Sequence, residues 1–460
     1  MELKDKLITV VGLGKRTGVE TVKFLDKQGA KIIVTDTKQE AQLKEEIDAL
    51  KGCKVNFDLG GHTLDLILKS DLIIISPGVP TDISLLQEAR KSRIEIISEV
   101  ELAYHFCKAP IIAITGTNGK TTTTTLIGEI FKATGRKTVV GGNIGRALIQ
   151  DVPKLEKEDI VIAEISSFQL EEIKEFRPNI SLFLNITPDH LDRHGSFEAY
   201  IEAKRKLLMN QTKDDYTILN YDDPIVRKFA DNTQGQVIFF SQQEKLVNGI
   251  YLKDNKIVAN FLEREEEIID IKEIGIKGPH NLENALGAVA SSLLMGASKG
   301  ILVGVLKNFS GVEHRIEEVA VINGVRYIND SKGTNPIASM KAIETFDPPL
   351  VIIAGGKDKG SEFDDFAKVI REKVKGVVLL GETSDKIEAS LKKIGYDSIY
   401  RVESIQESVK VATQLACGKG IVLLSPACAS WDMFDNYEQR GREFKEAVRA
   451  VDSVQLTVDS

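Results

Sequence analysis

Short apolar runs, each almost bare of polar residues and each ending in a Gly, Ser, Thr or acidic turn, recur along the chain. They include LITVVGLG (7–14), KIIVTD (31–36), DLIIISPG (71–78), IIAITG (111–116), DIVIAEIS (159–166) and SLFLNIT (181–187). LVIIAGG (350–356), VVLLG (377–381) and IVLLSP (421–426) continue the series. A strand with one wet face alternates apolar and polar residues, whereas one without polar residues is buried on both faces, as in a helix-covered parallel sheet. Amphipathic segments with helical spacing follow at about 18–29, 119–134, 197–209, 280–296, 335–345 and 436–450. The expected fold class is therefore α/β. A chain of 460 residues exceeds what one hydrophobic core can serve.

Two segments break the rhythm. GIYLKDNKIVAN (249–260) reads as a hairpin turning at Asp254-Asn255, and VAVINGVRYIND (319–330) as one turning at Asn323-Gly324. A fresh strand–loop–helix unit starts at Pro110, and the second hairpin opens a further unit after about Asn308. Three domains are expected, at 1–99, 100–308 and 309–460, with the last ten residues as a frayed tail.

Composition excludes some functions. A net charge of −8 argues against a nucleic-acid partner and against an anionic membrane surface. No apolar run is long enough to span a bilayer, and MELKDKLITVVG lacks the features of a signal peptide. Cys53, Cys107, Cys417 and Cys428 lie far apart without metal-type spacing, which suits a reducing compartment. The expected location is the cytoplasm, with no membrane insertion.

ITGTNGKTTTT (114–124) follows an apolar strand and opens a helix. In that context backbone N–H groups and the helix dipole face an anion, Lys120 reaches terminal phosphates, and the Thr121 hydroxyl is placed for Mg²⁺. Ile114 stands where the general phosphate-loop pattern has its first glycine. VVGLGKRTGVE (10–20) approximates a dinucleotide fingerprint with one extra residue before Gly18, and Asp36 ends the next strand. A nucleotide-sugar diphosphate suits this turn as well as NAD does. SPGVP (76–80) ends another strand of the same region.

Glu164 ends one apolar strand, and His190 follows another in a loop crowded with Asp189, Asp192 and Arg193. A carboxylate and a histidine at such strand ends can hold a hard cation. GPHNLENALGA (278–288) places Asn281 and Asn284 at a helix start, where they either cap it or bind a base. Arg315 stands in VEHRIE, and NDSKGTNP (329–336) gathers Asp330, Lys332 and Thr334. GGKDKG (355–360) and LSPACASWDMFDNYEQRG (424–441) each follow a strand. Polar residues collected at strand ends point to a cleft between domains.

TGTNGKT, EISSFQLE, NITPDHLDRH, HNLENA, HR and NDSKGTNP, in this order, resemble the Mur ligases of peptidoglycan synthesis over essentially the whole chain. The resemblance implies a Rossmann-like N-terminal domain, a central P-loop ATPase-like domain and a Rossmann-like C-terminal domain. Within the family, the GLG turn, SPGVP and SPACASWDMFDNYEQRG resemble the member that adds D-glutamate to UDP-N-acetylmuramoyl-L-alanine. No Asn-Pro-Arg-type segment of the diamino-acid-adding members is present.

The implied partners are UDP-N-acetylmuramoyl-L-alanine, D-glutamate and ATP with Mg²⁺, and a monomer is expected. The implied catalytic set is Lys120, Glu164, His190 and Lys204; Thr121 joins the last three at Mg²⁺. Lys204 matches the lysine this family carbamylates; without the resemblance it reads as an exposed helical lysine. ATP would meet Gly116, Thr117, Asn118, Gly119, Lys120, Thr121 and Thr122, then Asn281, Asn284, Arg315, Asp330 and Lys332. Gly14, Lys15, Arg16, Thr17, Asp36, Thr37, Ser76, Gly78 and Asn143 match the UDP-sugar site. Thr334, Lys359, Ser430 and Tyr437 match the D-glutamate site, with Lys357 as a rival to Lys359 and Tyr437 acting through its backbone. Other Mur-type or folylpolyglutamate-type ligases are the near alternative. A nicotinamide-dependent oxidoreductase on GLGKRTG is the distant one, and it leaves the Lys120 loop and NDSKGTNP unexplained.

Overall fold

The N-terminal apolar runs become strands of a single parallel sheet in the computed structural model. It holds β1 (Leu7–Val11), β2 (Lys31–Asp36), β3 (Val55–Leu59), β4 (Leu72–Ile75) and β5 (Glu95–Ser98), in the order β3-β2-β1-β4-β5. Strand order reverses beside β1, so the turns after β1 and β4 flank the crevice where α/β sheets bind ligands. GLGKRTG and SPGVP are those two turns. The structure describes residues 1–261, 264–358, 360–416 and 418–456, so Lys359 and Cys417 lie outside it.

The second sheet has nine strands: β6 (Ile111–Thr115), β7 (Thr138–Gly142), β8 (Ile160–Glu164), β9 (Ile180–Phe183), β10 (Tyr216–Asn220), β11 (Gln236–Ser241), β12 (Gly249–Lys253), β13 (Lys256–Phe261) and β14 (Arg264–Asp270). Its order is β14-β13-β12-β11-β10-β9-β6-β8-β7. From β7 to β12 neighbours run parallel, so the loops after β7, β8, β6 and β9 leave the same edge side by side. The expected hairpin is β12–β13, with Lys253 opposite Lys256 and positive φ at both Asp254 and Asn255. Both sheets feed one continuous apolar core: Val10 and Val34 of the first sheet and Val161 and Phe183 of the second belong to one buried cluster. They form one compact unit, Met1–Phe309. Helix Glu99–His105 joins them.

The second unit, Ser310–Ser460, has a sheet of its own. Its strands are β15 (Glu317–Ile322), β16 (Val325–Asn329), β17 (Leu350–Ala354), β18 (Val374–Leu379), β19 (Ile399–Arg401) and β20 (Ile421–Leu424), ordered β15-β16-β20-β17-β18-β19. Only the β15–β16 hairpin is antiparallel. Its turn, Asn323-Gly324, has φ of 48° and 81°, the pair of positive values a type I′ turn requires. Loops after β16, β20 and β17 therefore emerge together, and they contain NDSKGTNP, SPACASWDMFDNY and GGKDKG.

Two helix ends differ from the sequence expectation. The segment 197–209 is an α-helix only over Phe197–Arg205 and tightens into a 3₁₀ turn at Lys206–Leu208. The final helix, Tyr437–Leu456, runs into the expected tail, because the stripe Phe444, Ala447, Val448 and Val451 keeps packing on the third sheet's core. Among the described residues no helix is long and apolar enough to cross a membrane, and Cys53, Cys107 and Cys428 are free thiols.

A Cβ at Gly324 would sit 2.4 Å from the Gly418 carbonyl oxygen, on a backbone already at positive φ. Gly324→Ala is expected to destabilise Ser310–Ser460 by roughly 1–3 kcal/mol. Denaturant unfolding checks this, and an unchanged midpoint contradicts it.

Candidate active site

The phosphate loop is shaped by two glycines and one asparagine. Gly116 and Gly119 adopt φ of 152° and 84°, where side chains are strained. A Cβ on Gly119 would lie 2.1 Å from Asn284 Oδ1, so the loop rests directly on helix Pro279–Leu294. Asn185, just after β9, fixes the loop from the other side: its carbonyl accepts from Thr117 N (2.8 Å) and its Oδ1 from Asn118 N (2.9 Å). Asn185 Nδ2 in turn donates to Glu283 Oε1 at 2.6 Å. Lys120 folds over the loop and donates to the carbonyls of Gly116 and Thr117 at 2.8 and 2.9 Å. Thr121 and Thr122 are buried in the first turn of helix Lys120–Ala133. Asn281 Nδ2 donates to the Lys277 carbonyl, and Asn284 Nδ2 lies 3.3 Å from Asn281 Oδ1.

Ile114 and Glu164 are register partners across β6 and β8, and Gly142 pairs with Glu164 across β7 and β8. The carboxylate of Glu164 is consequently beside the phosphate loop and only 2% exposed. Asn143 Nδ2 donates to its Oε1 at 2.8 Å, while Oε2 is buried without a hydrogen-bond partner. A buried, half-satisfied carboxylate is the donor a divalent cation needs. Lys204 is the second unusual group. It is 1% exposed, contrary to the reading as an exposed helical lysine, because it lies four residues after buried Tyr200 on the inward face of its helix. Its ammonium donates to the Gly116 carbonyl at 2.9 Å and stands 4.8 Å from the Tyr200 ring centroid. Burial first, and the nearby Lys120 charge second, push the Lys204 amine far below the ordinary lysine range. Tyr200 Oη and Thr117 Oγ1 are 3.1 Å apart. His190 is at the start of helix Leu191–His194 with φ of 52°, half exposed, its ring 4.8 Å from that of Phe168.

Of the UDP-sugar candidates, Gly14 to Thr17 follow β1, Asp36 and Thr37 stand at the end of β2, Ser76 and Gly78 follow β4, and Asn143 follows β7 of the second sheet. Gly14, Lys15 and Arg16 are exposed, and Thr17 is buried at the helix start. Arg16 donates to the carbonyls of Asn143 (3.1 Å) and Gly145 (3.3 Å), so the first glycine turn is tied to the loop after β7. Lys15 pairs with Glu45 on the surface. Asp36 Oδ2 accepts from Leu13 N at 2.8 Å, Ser76 Oγ donates to the Gly12 carbonyl at 2.6 Å, and Thr37 and Gly78 are exposed.

Sequence reasoning missed Glu99 and Gln169 at this seam, and took Arg193 only as a neighbour of His190. Gln169 Nε2 donates to Glu99 Oε1 at 2.8 Å, and Glu99 Oε2 is buried without a partner. Burial pushes the Glu99 carboxyl up to about 7. A pKa raised in the folded state means stability that is complete below the ordinary glutamate value and lost as pH rises through 7. Glu99→Gln is therefore expected to raise the melting temperature at pH 8, with a gain that vanishes near pH 4.5. Melting curves across pH check this, and a pH-independent difference contradicts it.

In the second unit, Asp330 opens the loop after β16 and is 4% exposed. Burial pushes its carboxyl up to about 6, opposed by the Ser425 Oγ bond (2.7 Å) and by Arg315. Lys332 stands 5.6 Å from the Tyr437 ring centroid, and Thr334 follows in the same loop, partly buried. Ser430 is buried, and its carbonyl accepts from Met433 N and Phe434 N. The Tyr437 carbonyl accepts from Ser331 Oγ at 2.8 Å. Arg440, also missed, joins these loops: its buried guanidinium donates to Ser331 O (2.9 Å), Cys428 O (3.1 Å) and Ala429 O (3.2 Å). Lys357 pairs with Glu382 at 2.6 Å on the surface. Glu313 and Glu317, beside His314, are both paired with Lys445.

A phosphate loop backed by a buried carboxylate and a buried amine, at the strand ends of a parallel α/β sheet, is the arrangement of a phosphate-binding α/β protein. Three domain profiles resolve the class further: Mur ligase MurD-like, N-terminal domain over 6–98, Mur ligase middle domain over 114–292, and Mur ligase, glutamate ligase domain over 314–428. The chain belongs to the Mur ligase family. It is 51% identical over 450 residues to the UDP-N-acetylmuramoylalanine--D-glutamate ligase of Thermoanaerobacter pseudethanolicus, covering 97% of this chain and 99% of that one. The enzyme of that name from Clostridioides difficile is 46% identical over 450 residues, with the same coverages. Among solved structures, UDP-N-acetylmuramate-alanine ligase MurC from Thermotoga maritima matches with TM-score 0.59 at 21% identity, over 97% of this chain and all of that one. The MurF ligase of Thermotoga maritima in complex with ADP matches with TM-score 0.57 at 16% identity, over 91% and 95%. These two likenesses concern the fold.

Proposed function

We propose that the chain ligates D-glutamate to UDP-N-acetylmuramoyl-L-alanine, using ATP and releasing ADP and phosphate, in peptidoglycan precursor synthesis. The observation that carries the chemistry is the buried Lys204 amine beside Glu164 under the phosphate loop. The near-full-length identity to D-glutamate ligases supports the choice of acceptor. The three domains are 1–99 for the UDP-sugar, 100–308 for ATP and 309–460 for the amino acid.

A carboxylate oxygen of the alanine end attacks the γ-phosphorus of ATP, and ADP leaves with the bonding pair. The D-glutamate nitrogen then attacks the acyl carbon, and the tetrahedral adduct expels phosphate and forms the amide. Such transfers depend mainly on positioning and charge compensation. Lys120 and the N–H groups of 116–122 hold the terminal phosphates. Asn281, Asn284, Arg315, Asp330 and Lys332 hold the rest of the nucleotide. Gly14 to Thr17, Asp36, Thr37, Ser76, Gly78 and Asn143 serve the UDP-sugar; Thr334, Ser430 and the Tyr437 backbone serve D-glutamate, as does Lys359.

Thr121, Glu164, His190 and Lys204 are the residues that would hold Mg²⁺. The ion would supply charge neutralisation for the phosphate oxygens. The orphaned Glu164 Oε2 fits that role. A neutral Lys204 amine can add CO₂ and release a proton, giving a carbamate that offers oxygens where an ammonium repels a cation.

Phosphate release with UDP-N-acetylmuramoyl-L-alanine, ATP, Mg²⁺ and a panel of amino acids tests the reading. Release with D-glutamate is expected, and little with L-glutamate, L-alanine or diamino acids; equal release throughout, or none with D-glutamate, refutes it. Lys204→Ala is expected to lose activity on the order of a hundredfold, partly restored by small carboxylic acids. Full activity of the unrescued variant counts against the carbamate.

A further inference from the structure

The side-chain amide of Asn185 stands between the phosphate loop and a helix. Toward the loop, its Oδ1 accepts from Asn118 N at 2.9 Å and its Nδ2 donates to the Asn118 carbonyl at 3.3 Å. Toward helix Pro279–Leu294, the same Nδ2 donates to Glu283 Oε1 at 2.6 Å. The amide thus grips the N–H and the C=O of Asn118 together, as a neighbouring strand would. The backbone that carries it is fixed on both sides: Asn220 Nδ2 donates to the Leu184 carbonyl at 2.8 Å, and Ile186 N donates to Asp223 Oδ2 at 2.8 Å.

A carboxylate only accepts hydrogen bonds. Whatever else Glu283 meets, Asn185 must turn its NH₂ group toward it, and that leaves Oδ1 for the Asn118 N–H. Turning the amide over would set oxygen against oxygen at Glu283 and N–H against N–H at the loop. Asn118 favours the same orientation, but it belongs to the loop and moves with it. Glu283 belongs to a helix buried from Asn284 to Ser292, and its short bond to a charged acceptor is the stronger of the two that Nδ2 makes. The same helix carries Asn281 and Asn284, and Asn284 lies directly against Gly119 of the loop.

We propose that Glu283 is a positioning residue for the nucleotide. By holding the Asn185 amide it sets the peptide groups at Asn118, and so ties the phosphate loop to the helix of Asn281 and Asn284. The inference rests on the proposed reading of this loop as the ATP site.

The test uses the full-length chain and calorimetric titration with Mg²⁺–ATP and, separately, with UDP-N-acetylmuramoyl-L-alanine. Glu283→Ala is expected to weaken Mg²⁺–ATP by about fivefold or more and to leave the UDP-substrate unchanged. Removing a negative charge near a triphosphate would by itself act in the opposite direction. Glu283→Gln keeps an oxygen that accepts from Asn185 and should stay within about twofold. Asn185→Asp sets two carboxylates face to face and should lose about tenfold or more. Combining Asn185→Asp with Glu283→Gln restores a donor opposite a carboxylate and keeps the original number of charges, so most of that loss should be recovered. This pair tests the route independently if Glu283→Ala does not fold. Unchanged or tighter Mg²⁺–ATP binding in Glu283→Ala, an equal loss for the UDP-substrate, or a double variant no better than Asn185→Asp alone overturns the proposal. Absence of ATP binding by the unmodified protein overturns it together with the nucleotide reading, so the two failures are distinguishable.

Discussion

Two lysine ammonium groups converge on one backbone oxygen, the Gly116 carbonyl, and one of them is buried. Placing a second cation in a water-poor site beside the first is unfavourable, and burial together with the Lys120 charge pushes the Lys204 amine far below the ordinary lysine range. Much of the surrounding geometry follows from this contact. Tyr200 and Thr115 line the amine, Thr117 is fixed by Tyr200, and Glu164 presents an oxygen with no other partner. An ordinary exposed lysine would make none of these demands.

Parallel sheets make the rest possible. Neighbouring strands that run the same way deliver their following loops to one edge, so Asn143, Glu164, Lys120 and His190 come from four adjacent strands without any long excursion. The same rule gathers Asp330, Ser430 and Lys357 in the second unit. Arginines then lock the loops to one another by donating to backbone carbonyls: Arg16 and Arg193 in the first unit, Arg440 in the second. A planar fork of donors suits this task, since it can hold two strands of backbone at once.

The sequence carried the architecture because it is written in local patterns. Uninterrupted apolar runs read as buried strands, and Asp254-Asn255 and Asn323-Gly324 read as turns from their tolerance of positive φ. The Lys120 loop and Glu164 were legible for the same reason, being tied to a strand end a few residues away. Lys204 was half legible: Tyr200, Ala203 and Leu207 mark the inward face of its helix, and the lysine falls on that face. Asn185, Glu99, Gln169, Arg193 and Arg440 were not read as site residues, because their partners are backbone groups or side chains distant in sequence. The length of the last helix was underread because its apolar stripe is sparse and interrupted by charge.

The central claim is that the buried Lys204 amine is the group from which the cation site is completed. Carbon-13 NMR of the protein equilibrated with ¹³C-bicarbonate measures this directly. A carbamate-carbon resonance that is present in the active protein and absent from Lys204→Gln is the expected result. An active protein with no such resonance would contradict the account.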